Sequence, residues 1–286
     1  ICNQCFPTSH DRKIIGFLYF QEARDFNSDG IHTFRGRIQK IVDQDDLILY
    51  FGNLPPMSPH KAKVLLLQSN RFLVDNFSLT GLTLKTKIRT FIERFMFRKG
   101  IRNIDLLIVQ SETMADCVKK IIRNSTTLMV KVLPFKNIDI YEQDDKDNDE
   151  VSFLYVANLE RYKNHSVLLS AWKLLKNEGI VSKLYLTIDG HTFPKRYEKI
   201  IEYIGDNNLN ISIKQDLSRC DLLTYFSKVD CLIYPSLFES YGLPIVEAMN
   251  MNIPIIASEL DFVRDLVDPD ESFNPKSPKS IFRAVC

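Results

Sequence analysis

Residues 234–258 read YPSLFESYGLPIVEAMNMNIPIIAS, and the order of residue types in them decides the fold. The apolar run 231–234 ends at Pro235-Ser236, because a proline cannot donate to a strand ladder. A turn follows with Glu239, Ser240, Tyr241 and Gly242. A helix then starts at Leu243, with Pro244 in its first turn, where a missing N–H costs nothing. Gly242 removes a side chain from the helix mouth, so its unpaired N–H groups can approach a ligand. A helix start of this kind favours an anion such as a diphosphate. Glu239 sits on the turn and Glu247 about one turn inside the helix, so both carboxylates can face one ligand. Two glutamates at this spacing are common on solvated helices, and only the whole string sets them apart. Residues 254–257 (PIIA) return as the next strand, which makes a βαβ unit.

The same alternation runs outward through the chain. Short apolar strands are expected at 153–157, 184–188, 211–213 and 231–234, with helices at 166–177, 197–204, 220–227, 243–251 and 262–266. Upstream, strands are expected at 47–51, 64–67, 106–109 and 128–133. A helix is expected over 84–102, and another from Ser111, a plausible N-cap, to about residue 123. Strands alternating with helices imply parallel sheets covered on both faces. The stretch 142–150, EQDDKDNDE, holds six acids and one lysine and nothing to bury, so it reads as a solvated linker. The expected organisation is two doubly wound domains, 1–141 and 151–286, joined by the linker 142–150 and facing a central cleft. In such sheets ligands bind beyond the carboxyl ends of the strands.

Composition narrows the function classes. With 286 residues, 45% hydrophobic and 26% charged, the chain is an ordinary globular protein rather than a disordered one. No run approaches the roughly 20 apolar residues that a membrane-spanning helix needs. A net charge of +1 gives no argument for nucleic acid, but residues 1–141 carry 21 Lys+Arg against 13 Asp+Glu, a local excess of +8. The six cysteines are scattered, and Cys2-x-x-Cys5 has no second pair, so they read as reduced thiols. The five histidines show no metal spacing. His165 is expected to pack or cap near its helix start, without a catalytic role.

The string at 234–258 resembles the signature of retaining glycosyltransferases of family 4, with Pro235, Ser236, Glu239, Gly242, Pro244, Glu247 and Ala248 in register and Pro254, Ile256, Ala257 and Ser258 continuing it. Residues 155–172, YVANLERYKNHSVLLSAW, look like the strand–loop–helix that opens that family's donor domain, and 184–190, LYLTIDG, like the strand after it. The likeness is strong over about 151–285 and looser over 45–141. It implies a GT-B fold of two Rossmann-like domains. It also implies transfer, with retention and without a metal or other cofactor, of a sugar from a nucleotide-diphosphate donor to a saccharide or lipid-linked acceptor. Bacterial surface-polysaccharide assembly (O-antigen, capsule or lipopolysaccharide) at the cytoplasmic side of the membrane is the expected setting. Carried over by position, Glu239 orients the donor sugar as the catalytic residue, and Glu247 holds the ribose. Lys163, with Ser240, Tyr241, Gly242 and Leu243 at the helix mouth, takes the diphosphate. Where the family has Gly-Arg, this chain has Ala157-Asn158, and Arg161 stands nearby as a substitute out of register. Arg264 is as well placed for a surface role as for the cleft.

Two regions depart from the family. The N-terminal domain is expected to lack the first strand and its Gly-rich loop. The end at Cys286 falls short of the helix that crosses back to the first domain, as in a short form or a fragment. The helix at 84–102 carries seven Lys or Arg against Glu93 alone. Its apolar residues Leu84, Ile88, Phe91, Ile92 and Phe95 share a face expected to pack into the first domain, with Phe97 off that stripe. Its basic face is either simply solvated or a peripheral contact with anionic membrane. Two rival functions remain beside transfer: another GT-B activity such as an epimerase, or an inactive protein that binds nucleotide-sugar.

Overall fold

A computed structural model describes the backbone of Ile14–Leu18 and residues 43–78, 83–122, 128–134 and 150–286. The chain divides into two compact units, Ile1–Pro134 and Phe135–Cys286. Of the acidic stretch 142–150, only Glu150 lies among the described residues, and Cys2 and Cys5 lie outside them.

In the first unit, strands β1 (Ile14–Leu18), β2 (Leu47–Phe51), β3 (Lys63–Leu67), β4 (Leu106–Val109) and β5 (Met129–Val132) form one parallel sheet in chain order. Side chains alternate across it, as the two-residue period of a strand requires. Ile48, Val64, Leu66, Leu107 and Val109 join one core with Leu73, Phe97, Met114 and Val118, while Leu47, Leu65 and Leu106 cluster separately. Strand β1 is the first of the described strands and pairs with β2 from Ile14↔Leu47 to Leu18↔Phe51. A Gly-rich loop after it would lie outside the described residues.

Among the described residues three helices accompany this sheet: α1 (Arg71–Val74), α2 (Leu84–Gly100) and α3 (Glu112–Ile121). Ser111 caps α3 as expected, accepting from the Met114 N–H at 3.3 Å. Helix α2 forms where expected but faces the opposite way. Leu84, Ile88, Phe91, Ile92 and Phe95 are 73, 53, 73, 50 and 61% exposed, whereas Phe97 is fully buried. The cause is local fit. A Cβ on Gly100 would lie 2.8 Å from Pro55 Cγ and 2.9 Å from the Pro56 carbonyl, so the helix can come this close only along its glycine side. Arg94, on the same side, donates to the carbonyls of Phe72 (2.7 Å) and Asp75 (2.8 Å) and ties α2 to α1.

The second unit holds β6 (Ser152–Val156), β7 (Lys183–Thr187), β8 (Ile211–Lys214), β9 (Cys231–Tyr234), β10 (Ile255–Ser258) and β11 (Glu271–Phe273). They form a parallel sheet of order β11-β10-β9-β6-β7-β8. The chain runs outward from β6 to β8, crosses back, and runs out the other way from β9. The sheet therefore reverses between β6 and β9, the place where doubly wound sheets open a crevice at their carboxyl ends. The helices are α4 (His165–Asn177), α5 (Pro194–Asp206), α6 (Arg219–Lys228), α7 (Leu243–Asn250), α8 (Asp261–Arg264) and α9 (Pro278–Val285). A single core runs under them. In it Trp172 meets Phe153 edge-on at 5.5 Å and donates from its indole N–H to the Ser182 carbonyl at 3.2 Å.

Candidate functional site

The two loops leaving the switch point carry the residues that the sequence singled out. The β6–α4 loop ends in a 3-10 turn, Arg161–Lys163, followed by Asn164 in the left-handed region at φ 64°. Asparagine tolerates that region better than most residues. Its buried amide donates to the carbonyls of Pro235 (3.1 Å) and Pro275 (2.7 Å), and the Leu237 N–H donates to the Tyr162 carbonyl at 2.7 Å. These bonds stitch the β6–α4 loop to the β9–α7 loop.

Across this seam the Lys163 ammonium meets the Glu239 carboxylate at 2.6 Å, with both side chains largely buried (13 and 12% exposed). Two buried tyrosines form the floor. The Tyr234 hydroxyl donates to the same Glu239 oxygen at 3.0 Å. The Tyr155 hydroxyl donates to the Lys163 carbonyl at 2.6 Å and lies 3.1 Å from Ser236 Oγ. Burial pushes both phenols well above their ordinary range, and the Glu239 charge adds to this, so both stay protonated donors at neutral pH. Neither tyrosine stood out in the sequence as more than a core residue at a strand end.

Gly242 precedes α7 at φ 99°, a conformation that a Cβ would strain, and Pro244 sits in the first turn. The N–H groups at this helix start have no side-chain cap from Gly242. Of the residues around it, Leu243 is exposed, Ser240 half-buried and Tyr241 buried, so the Tyr241 ring belongs to the core.

Glu247 is 5% exposed and forms an ion pair with Arg219 at the start of α6. Its second oxygen, Oε2, has no hydrogen-bond partner among the described residues. Burial raises the Glu247 pKa above its ordinary value, and the Arg219 hydrogen bond and charge oppose that rise. The sequence reading did not single out Arg219. A signal was present in Ser218-x-x-Asp221, a capping box that starts α6 at Arg219, one residue before the expected helix.

Arg161 stands apart from the ion pair. It is exposed and lines a cavity of about 610 Å³ with Leu159, His165, Arg196 and Lys199 on the α4–α5 side. His165 is buried against the Tyr155 ring, 5.0 Å between centroids. Desolvation, with the Lys163 charge beside it, lowers its pKa to about 3, so it packs as a neutral ring. Arg264 pairs with Glu259. The fold brings Asp189, His191 and Asp216 together although their spacing gave no hint of it. The Asp189 carboxylate is already engaged by the His191 N–H (2.6 Å) and by the Thr192 hydroxyl and N–H, which hold it below the usual carboxylate range. Asp189, His191 and Thr192 thus form a turn with its own hydrogen bonds, and Asp216 lies 4.0 Å from the His191 ring.

Solved structures show the fold. The chain superposes on TarM with a TM-score of 0.65 at 15% identity, over 87% of this chain and 49% of that one. It superposes on Anabaena HepE, solved with UDP and glucose, with a TM-score of 0.66 at 15% identity, over 91% of this chain and 73% of that one. The fold is GT-B. Residues 137–285 match the family of glycosyl transferases group 1, and the chain belongs to it. Among curated relatives, the O-antigen chain mannosyltransferase RfbU of Salmonella typhimurium is 25% identical over 199 residues, 67% of this chain and 53% of that protein. The capsular polysaccharide biosynthesis glycosyltransferase CapH of Staphylococcus aureus is 25% identical over 146 residues, 49% of this chain and 41% of that one. The chain thus spans about half the length, or less, of these curated relatives. Among the described residues no helix is long and apolar enough to cross a membrane.

Proposed function

We propose that the protein is a retaining glycosyltransferase of bacterial surface-polysaccharide assembly, moving a sugar from a nucleotide-diphosphate donor to a saccharide or lipid-linked acceptor. The observation that carries this reading is the Lys163–Glu239 pair, which joins residues 76 apart at the switch point of the donor-type unit. Without a ligand, each charge satisfies the other. When the donor enters, the pair separates: Lys163 turns to the diphosphate, and Glu239, still held by Tyr234, accepts from hydroxyls of the sugar. As the anomeric C–O bond breaks, the diphosphate leaves with its electron pair. Lys163 and the N–H groups of Gly242 and Leu243 stabilise the growing charge in a site that is already organised. The proposed transfer needs no metal, so activity is expected to persist in chelator. The unpartnered Oε2 of Glu247 is the acceptor that a ribose hydroxyl would satisfy, because a buried oxygen without a donor costs free energy until one arrives.

The division into an acceptor domain 1–141, the linker 142–150 and a donor domain 151–286 belongs to the same proposal. The relatives RfbU, an O-antigen chain mannosyltransferase, and CapH, a capsular polysaccharide glycosyltransferase, support the setting. Thermal unfolding with UDP, GDP, ADP and their sugar conjugates tests the donor site. A ligand at about 100 times its Kd adds roughly 2.7 kcal/mol, a clear rise in melting temperature. One nucleotide family should raise it, and Lys163→Ala and Glu247→Gln should abolish the rise. A folded sample that responds to none overturns the reading. A response without sugar transfer to any polysaccharide-precursor extract leaves an inactive nucleotide-sugar binder instead.

A further inference from the structure

Helix α2 carries its apolar residues on the side away from its core. At 100° per residue, Leu84, Ile88, Phe91, Ile92 and Phe95 fall within an arc of about 100°. All five are at least half exposed, while Thr90, Phe97 and Gly100 are buried. Monomeric proteins rarely leave so contiguous a stripe of large side chains in water. The flanks are basic. Lys85 borders the stripe on one side and Lys87 and Arg98 on the other, Lys99 continues it at the C-terminal end of the helix, and among the described residues none of the four has a carboxylate partner. The remaining charges of the helix are already used: Arg89 pairs with Glu93 at 2.7 Å, and Arg94 bonds the carbonyls of Phe72 and Asp75.

We infer that this face docks on an anionic lipid bilayer, with the helix lying in the interfacial plane. The phenylalanines and isoleucines enter the acyl boundary, and Lys85, Lys87, Arg98 and Lys99 meet the headgroup phosphates. Charge complementarity selects this occupant. An apolar protein partner or a second copy would have to leave four cations around the contact without counter-charges, which a lipid phosphate surface supplies. The direction of the helix fits. It returns the chain between the adjacent parallel strands β3 and β4, so Leu84 starts at the carboxyl edge of the sheet, where such sheets bind ligands. The docking rests on the helix alone. It deepens the transferase reading only in placing the enzyme where a lipid-linked acceptor would be found.

Flotation of the full chain with vesicles tests this. The chain should float with phosphatidylcholine–phosphatidylglycerol vesicles, stay behind with phosphatidylcholine alone, and be released by salt. Lys85→Gln and Lys99→Gln should each weaken anionic-vesicle affinity about fivefold. Phe91→Ser with Phe95→Ser should abolish flotation at an unchanged melting temperature. Absence of flotation with both vesicle types overturns the inference, as does flotation that ignores these variants or does not distinguish the lipids. Self-association removed by the phenylalanine variants would identify a second copy as the occupant and also overturn it. Nucleotide-induced stabilisation, read on the same samples, fails independently of flotation, so loss of one reading is distinguishable from loss of the other.

Discussion

The two units break the rule of apolar inside and charged outside in opposite directions. In the first, helix α2 leaves five large apolar side chains in water and buries Thr90 and Gly100. In the second, helix α7 takes Glu247 inside, α4 starts on the buried His165, and the loops before these helices take in Lys163 and Glu239. Each inversion costs free energy that the isolated chain does not recover, through hydrated hydrocarbon in one case and dehydrated charge in the other. Such costs collect where a protein has business with something outside itself. On the proposals above, the missing partner of α2 is an anionic lipid surface and that of α7 a nucleotide-sugar.

The comparison breaks first at Phe97. If α2 is oriented as described, Phe97→Ala removes a fully buried ring and should cost about 3–5 kcal/mol. Phe91→Ala and Phe95→Ala, which carry the same side chain on the outer face, should stay within about 0.5 kcal/mol of the parent. Urea unfolding of the three variants reads both. Equal losses at Phe91 and Phe97 would mean that the stripe is covered in solution, and the contrast between the units would disappear.

Next comes His165, whose burial sharpens the second half of the contrast. Its folded pKa of about 3 lies far below the ordinary value of 6.5. The folded state therefore binds a proton less readily than the unfolded one. The stability this ring contributes is fully present above about pH 6.5 and is lost as pH falls toward 3. The acid limb of stability should amount to a few kcal/mol and should flatten in His165→Phe, with His165→Gln as the polar control. A limb of unchanged slope in both variants would place the acid sensitivity elsewhere.

Much of the second unit was legible in sequence because its information is local. Strand β9 was expected at its observed bounds, and α7 ends one residue earlier than expected, since an apolar run, a proline and a helix-mouth glycine are neighbours in the chain. The contacts that complete the site were not legible. Arg219 reaches Glu247 across 28 residues, and Tyr155 meets Ser236 across 81, distances over which a sequence pattern carries no direction. Helix α2 failed for a different reason. Periodicity locates an apolar stripe but not what it faces, and its orientation was decided by the clearance at Gly100 and by the bonds of Arg94. The family resemblance supplied roles for Lys163, Glu239 and Glu247. The tyrosine floor came only from the fold.

The smallest effect, and the finest discrimination, lies in Glu247. Its pKa is raised by burial and pulled back by Arg219. An acid raised in the folded state contributes stability that is complete below its unfolded pKa and is lost as pH rises through the folded one. Relative to Glu247→Gln, the parent should therefore lose stability as pH climbs through the range just above ordinary glutamate titration. Arg219→Gln removes the opposing interaction and should extend that loss to higher pH. Nucleotide affinity should move the other way, because the ionised carboxylate is the better acceptor for a ribose hydroxyl and strengthens over the same range. Urea midpoints and nucleotide titrations at matched pH values give the two slopes. Opposite signs identify a carboxylate held ready for a ligand at a cost to the fold. Slopes of the same sign would make Glu247 a structural partner of Arg219, and α7 would then cease to be the counterpart of α2.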